Sequence, residues 1–206
     1  MDSQYTYRLI ACFKRSHQFD DCFAASLARR FKLMSFDKQT VLLQSGELWN
    51  KVFFIDQGLL RLFYSTEEGK EFNKGFFAEN SLLWPVAPSA RSCNSLFSIA
   101  SIEPVRVLYM PFDEFQGLLK QNNYWLSFAL PYAENLADQK FLREHQFLVN
   151  NAKSRYLHIM KELADISHRL PDYHIASYMG ITHVALSRIK SQIAQASIKQ
   201  VSMEPE

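Results

Sequence analysis

The chain has 206 residues, 48% of them hydrophobic and 21% charged, with a formal net charge of +2. That length supports one large or two small domains with a real core, and the composition is that of a globular chain rather than a disordered one. No apolar run approaches the roughly 20 residues of a membrane helix, and the near-neutral charge excludes a polycation that coats nucleic acid.

Three scattered cysteines, Cys12, Cys22 and Cys93, make no disulfide framework. They suit a reducing compartment, and isolated cysteines of this kind are expected to act as small buried hydrophobes. The opening residues MDSQYTYRLIACFKRS carry Asp2 and no basic-then-apolar pattern, so a cytoplasmic location without export or membrane insertion is expected.

From about residue 36 to 112 the pattern is that of β-structure. Thr40–Gln44, Lys51–Ile55, Leu59–Tyr64 and Val105–Met110 are short and rich in branched or aromatic residues. Turn signals at Ser45-Gly46, Gln57-Gly58 and Glu68-Gly69 separate them. Many short strands in succession predict a barrel or sandwich-like roll, with Phe53, Phe54, Phe63, Phe76 and Phe77 as its aromatic filling.

Past Pro111 the period changes. Asp113–Gln121 predicts a short helix, and Asn123 to Val149 reads as one long helix with Trp125, Ala129, Tyr132, Leu136 and, less regularly, Phe141 and Leu148 as its apolar stripe. Pro131 implies a kink or a start near that point. Such a stripe serves either as a dimer seam or as packing against the chain's own β domain, and the dimer is the favoured expectation. Residues 153–170 predict another helix, with Tyr156, Leu157, Met160 and Leu163/Ala164 on one face. The last ten residues, SIKQVSMEPE, read as a frayed tail.

Residues 172–191, DYHIASYMGITHVALSRIKS, carry the most chemistry. Ala176 is small where two helices would cross closely. Gly180 supplies the positive φ that ends a helix and turns the chain, and Thr182 has the hydroxyl to cap the next one. Leu186 and Ile189 sit three apart and can face Ile175 and Met179. His183, Val184, Ser187, Arg188 and Ser191 are left outward, with Arg188 able to grip guanine or a phosphate. An ordinary αα-hairpin in a core would use the same turn and the same apolar pairs, so context has to decide. Residues 153–199 hold seven Lys/Arg against three acids, and five of the six histidines lie after residue 144. That mild basic bias fits phosphate contact.

The order of roll, long helix and helix-turn-helix resembles the Crp/Fnr superfamily of bacterial transcription regulators. SGELWNKVFFIDQGLLRLFYSTEEGKEF at 45–72 is similar to the cyclic-nucleotide-binding-type roll, and RLPDYHIASYMGITHVALSRIK at 169–190 to the DNA-binding end of the bacteroidete-type members. The resemblance implies an α+β fold: an N-terminal double-stranded β-helix (a jelly-roll-like, cyclic-nucleotide-binding-type domain), a long dimerisation helix, and a C-terminal winged-helix-type helix-turn-helix domain. The expected divisions are 1–121 for the roll with N-terminal helices, 122–149 for the long helix and 150–206 for the DNA-binding domain.

Nucleotide-binding members hold the cyclic phosphate with a Gly-Glu pair and with an Arg followed by a small hydroxyl residue. Here Trp84-Pro85 stands where Gly-Glu is needed, Asn94 or Ser95 falls near the arginine position, and Arg91-Ser92 sits about three residues early. Proline has no N–H for a phosphate and tryptophan is bulky where close approach is wanted. Cyclic AMP or cyclic GMP is therefore not the expected ligand, and the ligand-binding residues are left open. Cys12, Cys22 and Cys93 do not supply the about four ligands of an iron–sulfur cluster. Nothing singles out His17 with Cys93 for haem, so no cofactor or metal is expected.

In the recognition helix, several members place an Arg-Glu pair where this chain has His183-Val184. Arg188 matches the family's outward arginine, so the departure at His183-Val184 predicts altered sequence preference rather than loss of binding. The DNA-binding candidates are Thr182, His183, Val184, Ser187, Arg188, Lys190 and Ser191, with Arg169 and Lys153 as further phosphate contacts. No GxSxG, Walker or HExxH motif is present, and Arg143-Glu144-His145 reads as surface decoration, so no enzyme is expected. The expectation is a homodimeric regulator bound to double-stranded DNA, with RNA polymerase a further candidate partner and the small-molecule effector open. The competing expectation is a small-molecule-binding roll whose degenerate helix-turn-helix contacts only proteins.

Overall fold

The computed structural model describes residues 3–17 and 19–201. Two helices, α1 (Ser3–His17) and α2 (Asp21–Ala28), precede the strands, and Asp20 caps α2 by accepting the Phe23 N–H at 2.8 Å. The strands are β1 (Lys32–Phe36), β2 (Val41–Leu43), β3 (Lys51–Gln57), β4 (Leu60–Ser65), β5 (Glu71–Phe77), β6 (Leu82–Leu83), β7 (Ser98–Ser101) and β8 (Val105–Pro111), with a one-turn helix α3 (Ser89–Ser92) between β6 and β7. Among the described residues they form two four-stranded antiparallel sheets, ordered β1-β8-β3-β6 and β2-β7-β4-β5.

The four segments read as strands coincide with β2, β3, β4 and β8. The other four gave no alternating pattern for a physical reason: β1 exposes nearly every residue, β5 leaves most of its residues half-buried, β7 buries every residue, and β6 is only a pair of leucines. The β3–β4 turn depends on Gly58, which has φ +100°. A Cβ there would lie 2.6 Å from the Pro104 carbonyl oxygen and 2.8 Å from the Val105 Cα, so only glycine allows the two turns to meet.

Strand β3 shows how the aromatics divide. Phe53 and Ile55 point into the roll, while Val52 and Phe54 point out under a helical cover. That cover combines Leu9, Phe13, Phe31, Trp84, Phe115 and Phe128 in one aromatic core. The expected filling by all five phenylalanines is thus corrected. Phe54 packs outside the roll, and Phe76 packs against the C-terminal helices.

The short helix α4 (Phe112–Gln121) leads to α5 (Trp125–Val149), which contains Pro131 without interruption. At 3.6 residues per turn, the stripe read from the sequence resolves into two opposite faces. Trp125, Phe128, Tyr132 and Leu136 lie on the chain's own roll. Leu126, Leu130, Ala133, Ala137, Phe141 and Leu148 line the other face and are exposed, Leu126 at 76% and Leu148 at 78%. The stripe looked ragged because it mixed the two.

The next helix, α6 (Ala152–Glu162), is shorter than the expected 153–170. Pro171 holds Leu170 extended, with ψ 121°, and a turn with a 3-10 segment at Ser167–Arg169 fills the gap. Its buried face is Ile159 and Leu163 with Tyr156 and Met160 beside them, whereas Leu157 is exposed. Then come α7 (Asp172–Met179) and α8 (His183–Val201). Helix α8 carries the supposed tail as far as Val201, and residues 202–206 lie outside the described residues. Among the described residues no strand follows residue 150, so the helix-turn-helix has no wing strands here. Cys12 is buried as expected, but Cys22 and Cys93 are exposed.

Candidate nucleic-acid interface

Gly180 adopts φ +68° and ends α7. The Ile181 N–H returns to the Ala176 carbonyl at 3.0 Å and the Gly180 N–H to that of Ser177 at 3.2 Å, the paired bonds of a Schellman ending. Two residues on, the Thr182 hydroxyl accepts the Ala185 N–H at 3.2 Å and starts α8. Ile175, Ala176, Met179, Leu186 and Ile189 are buried together between the helices.

This seam fixes which side of α8 faces out. Thr182, His183, Val184, Ser187, Arg188, Lys190 and Ser191 are all exposed, and Val184 remains 59% accessible. Arg188 makes no hydrogen bond or ion pair among the described residues. Lys190 is engaged: its ammonium sits 2.8 and 2.9 Å from the Asp172 carboxylate oxygens. That contact raises its pKa. Ser191 donates its hydroxyl to the Ser187 carbonyl. Lys153 is exposed on α6.

Arg169 corrects the expectation of a phosphate contact. Its guanidinium donates to Glu79 at 2.8 and 3.0 Å and also pairs with Glu103. Both acids belong to the roll. Burial alone would raise the Glu79 pKa, but the Arg169 bonds and the Gly58 N–H at 2.7 Å outweigh it and hold that carboxyl at about 2. Arg169 is a tether between the C-terminal helices and the roll.

Sequence reasoning missed the rest of that tether. Asn73 on β5 donates its backbone N–H to the Ser177 hydroxyl at 2.9 Å, and Ser177 donates onward to the Glu71 carbonyl at 2.8 Å. The Asn73 amide nitrogen reaches the His174 carbonyl at 3.0 Å and His174 Nδ1 at 3.1 Å. An amide nitrogen only donates, so Nδ1 accepts and the ring is neutral. Burial, with Arg61 nearby, pushes the His174 pKa down to about 4. Arg143 on α5 is half-buried and is no surface decoration. It donates to the Tyr178 carbonyl at 2.9 Å and to the Lys74 carbonyl at 3.4 Å. No local signal marks these residues, because each partner lies on a distant element.

The region expected to correspond to a nucleotide pocket is built around Trp84 and Arg91. Trp84 is fully buried and stacks on Phe112 at 6.0 Å and 9°. Arg91 on α3 turns back on its own loop, with Nε 2.9 Å from the Pro85 carbonyl oxygen and Nη2 2.6 Å from that of Val86. Its guanidinium stands over the Trp84, Phe112 and Trp125 rings. A cavity of about 190 Å³ remains between the roll and α5, lined by Trp49, Phe77, Trp84, Phe97, Tyr132 and Leu136 among others.

Among the described residues no helix is long and apolar enough to cross a membrane. A family model described as the cyclic nucleotide-binding domain matches residues 33–122. No curated protein matches the chain. Among solved structures, FixK2 from Bradyrhizobium japonicum is 14% identical over 82% of this chain and 86% of its own, with a TM-score of 0.66. A CooA mutant from Carboxydothermus hydrogenoformans is 18% identical over 89% and 83%, at 0.65. The c-di-GMP-responsive global regulator CLP of Xanthomonas campestris is 10% identical over 95% and 93%, at 0.63. Residues 33–122 are thus similar to the cyclic nucleotide-binding domain, and the chain as a whole shares its fold with FixK2 and CooA.

Proposed function

We propose that this protein is a DNA-binding transcription regulator that acts as a homodimer and reads a near-palindromic site with the first turns of α8. The observation that carries this reading is the outward face of α8. His183, Val184, Ser187 and Arg188 stand in solvent opposite a buried seam, and the unpaired Arg188 guanidinium has the fork that suits guanine O6 and N7. Pairing of two copies follows from the second face of α5, whose exposed leucines and Phe141 need a partner to leave water. CLP, a regulator of virulence gene expression by its description, shares the whole architecture.

The roll, on this reading, takes no cyclic nucleotide in the family manner. A buried Trp84, a Pro85 without an N–H, and an Arg91 already spent on the Pro85 and Val86 carbonyls support that. The test is selection of bound duplexes from a random DNA pool, at two salt concentrations, with and without cyclic AMP. A two-fold-symmetric site enriched without nucleotide, and weakening steeply with salt as counterions are released, is the expected result. Enrichment only with cyclic AMP overturns the pocket assignment. Absence of any enrichment overturns DNA reading in favour of a helix-turn-helix that contacts proteins.

A further inference from the structure

Three cations meet where the roll, α5 and the helix-turn-helix come together. Lys74 comes from β5, and Lys140 and Arg143 come from successive turns of α5. None of the three has a carboxylate within 4.0 Å among the described residues. Two clefts, of about 200 and 210 Å³, open on either side, and Lys74, Lys140, Arg143 and Tyr178 line both. The wider surroundings are His158 and Glu162 in one cleft and Tyr64 and Phe147 in the other.

Glu162, which lines one cleft, makes no ion pair with the three cations within 4.0 Å among the described residues, and its carboxylate accepts the Tyr178 hydroxyl at 2.9 Å. Among the described residues, the Lys74 ammonium stands over the Phe97 ring, at 4.8 Å. Burial, with the charges of Lys140 and Arg143, lowers the Lys74 pKa to about 8. Like charges held together without a counter-charge are costly, and an anion with several oxygens relieves all three at once. A carboxylate carries a single charge on two oxygens, whereas a phosphate carries more charge and offers oxygens to two ammonium groups and a guanidinium.

We propose that the Lys74–Lys140–Arg143 cluster is a binding site for a small phosphate-bearing anion, separate from the cavity inside the roll. Arg143 also braces the Lys74 and Tyr178 carbonyls. An anion that draws the guanidinium off them changes how α7 is seated, so occupancy is read out at the helix-turn-helix. The site stands on this cluster alone and does not depend on whether α8 binds DNA.

Calorimetric titration of the full chain with inorganic phosphate, pyrophosphate and AMP, in 0.15 M sodium chloride, tests it. One site per chain is expected, weakened about tenfold or more in Lys140→Ala and again in Lys74→Met, and unchanged in Lys38→Ala, a lysine exposed on the roll. Equal or tighter binding of inorganic phosphate identifies a free ion as the occupant, and tighter AMP identifies a phosphate ester; either supports the site. Amide exchange at Tyr178 and Gly180 should change on saturation. Position 140 is exposed on a helix, where alanine is well tolerated, so loss of binding in that variant reports the site and not the fold. No binding of any probe at millimolar concentration, or binding that survives both substitutions, overturns the proposal. So does a loss of DNA affinity in these variants with no anion binding in the parent chain, which would make the cluster a DNA-backbone contact.

Discussion

The two helices of the helix-turn-helix sit in opposite environments. Helix α7 is tied to the roll through Ser177 and His174, and the neighbouring Arg169 is clamped between Glu79 and Glu103. Helix α8 shares the buried seam but turns Arg188, His183 and Ser187 to water with their donors free for a partner. Helix α7 directs His174 and Ser177 into the molecule, whereas the first turns of α8 direct His183, Ser187 and Arg188 out of it. An arginine's role in this chain therefore follows from the acids near it and not from its place in a basic segment. Arg169 and Arg188, nineteen positions apart, are the clearest pair.

Exchanging their roles is the sharpest way to break that contrast. Arg169→Ala leaves two roll carboxylates facing each other without a cation. It should cost about 2–4 kcal/mol of stability in a denaturant titration and leave the salt slope of DNA binding unchanged. A stable variant with a shallower slope would return Arg169 to the DNA side. Arg188→Ala should do the reverse, losing about 1–3 kcal/mol of DNA affinity with relaxed preference at one base position. Its stability should stay within about 0.5 kcal/mol of the parent. An unchanged selected sequence in that variant would remove Arg188 from the interface.

Acid sharpens the tethered side. The folded His174 pKa of about 4 lies below the unfolded value of about 6.5, so the unfolded chain binds the extra proton between those limits. Stability from this group is complete above about pH 6.5 and is lost as pH falls toward 4, by about 1–2 kcal/mol after allowance for solvent screening. Glu79, held at about 2, continues the loss in the same direction from about pH 4.5 downward. His174→Gln should flatten the first step in a pH series of thermal melts, and a step that persists would assign it to another group. The smallest effect belongs to Asp172→Asn, which frees Lys190. An exposed pair is worth about 0–1 kcal/mol, so DNA affinity should rise slightly at low salt and the gain should vanish at high salt.

The helix-turn-helix was legible because its determinants are local. Gly180 needs only its own φ, Thr182 only the N–H three residues on, and Leu186 with Ile189 only the helical period. The long helix was legible as an element and misleading as a surface. Its stripe is two faces, and a one-dimensional pattern cannot say which face the chain covers itself. Strands β1, β5 and β7 escaped because alternation appears only where one side of a strand is wet and the other buried, and β6 because two residues make no pattern.

Four of the strands, the glycine turns, the Thr182 cap and the outward residues of α8 could be read from the chain alone, because each depends on contacts within a turn or two of chain. Which charges are free depends on the packing of distant elements. Glu79 and Glu103 reach Arg169 across 90 and 66 residues, Asn73 reaches His174 across 101, and the Lys74–Lys140–Arg143 group assembles from a strand and a helix. Pairing a charge or leaving it bare is a matter of distance in space, and distance in space is set by how the roll, α5 and the C-terminal helices pack.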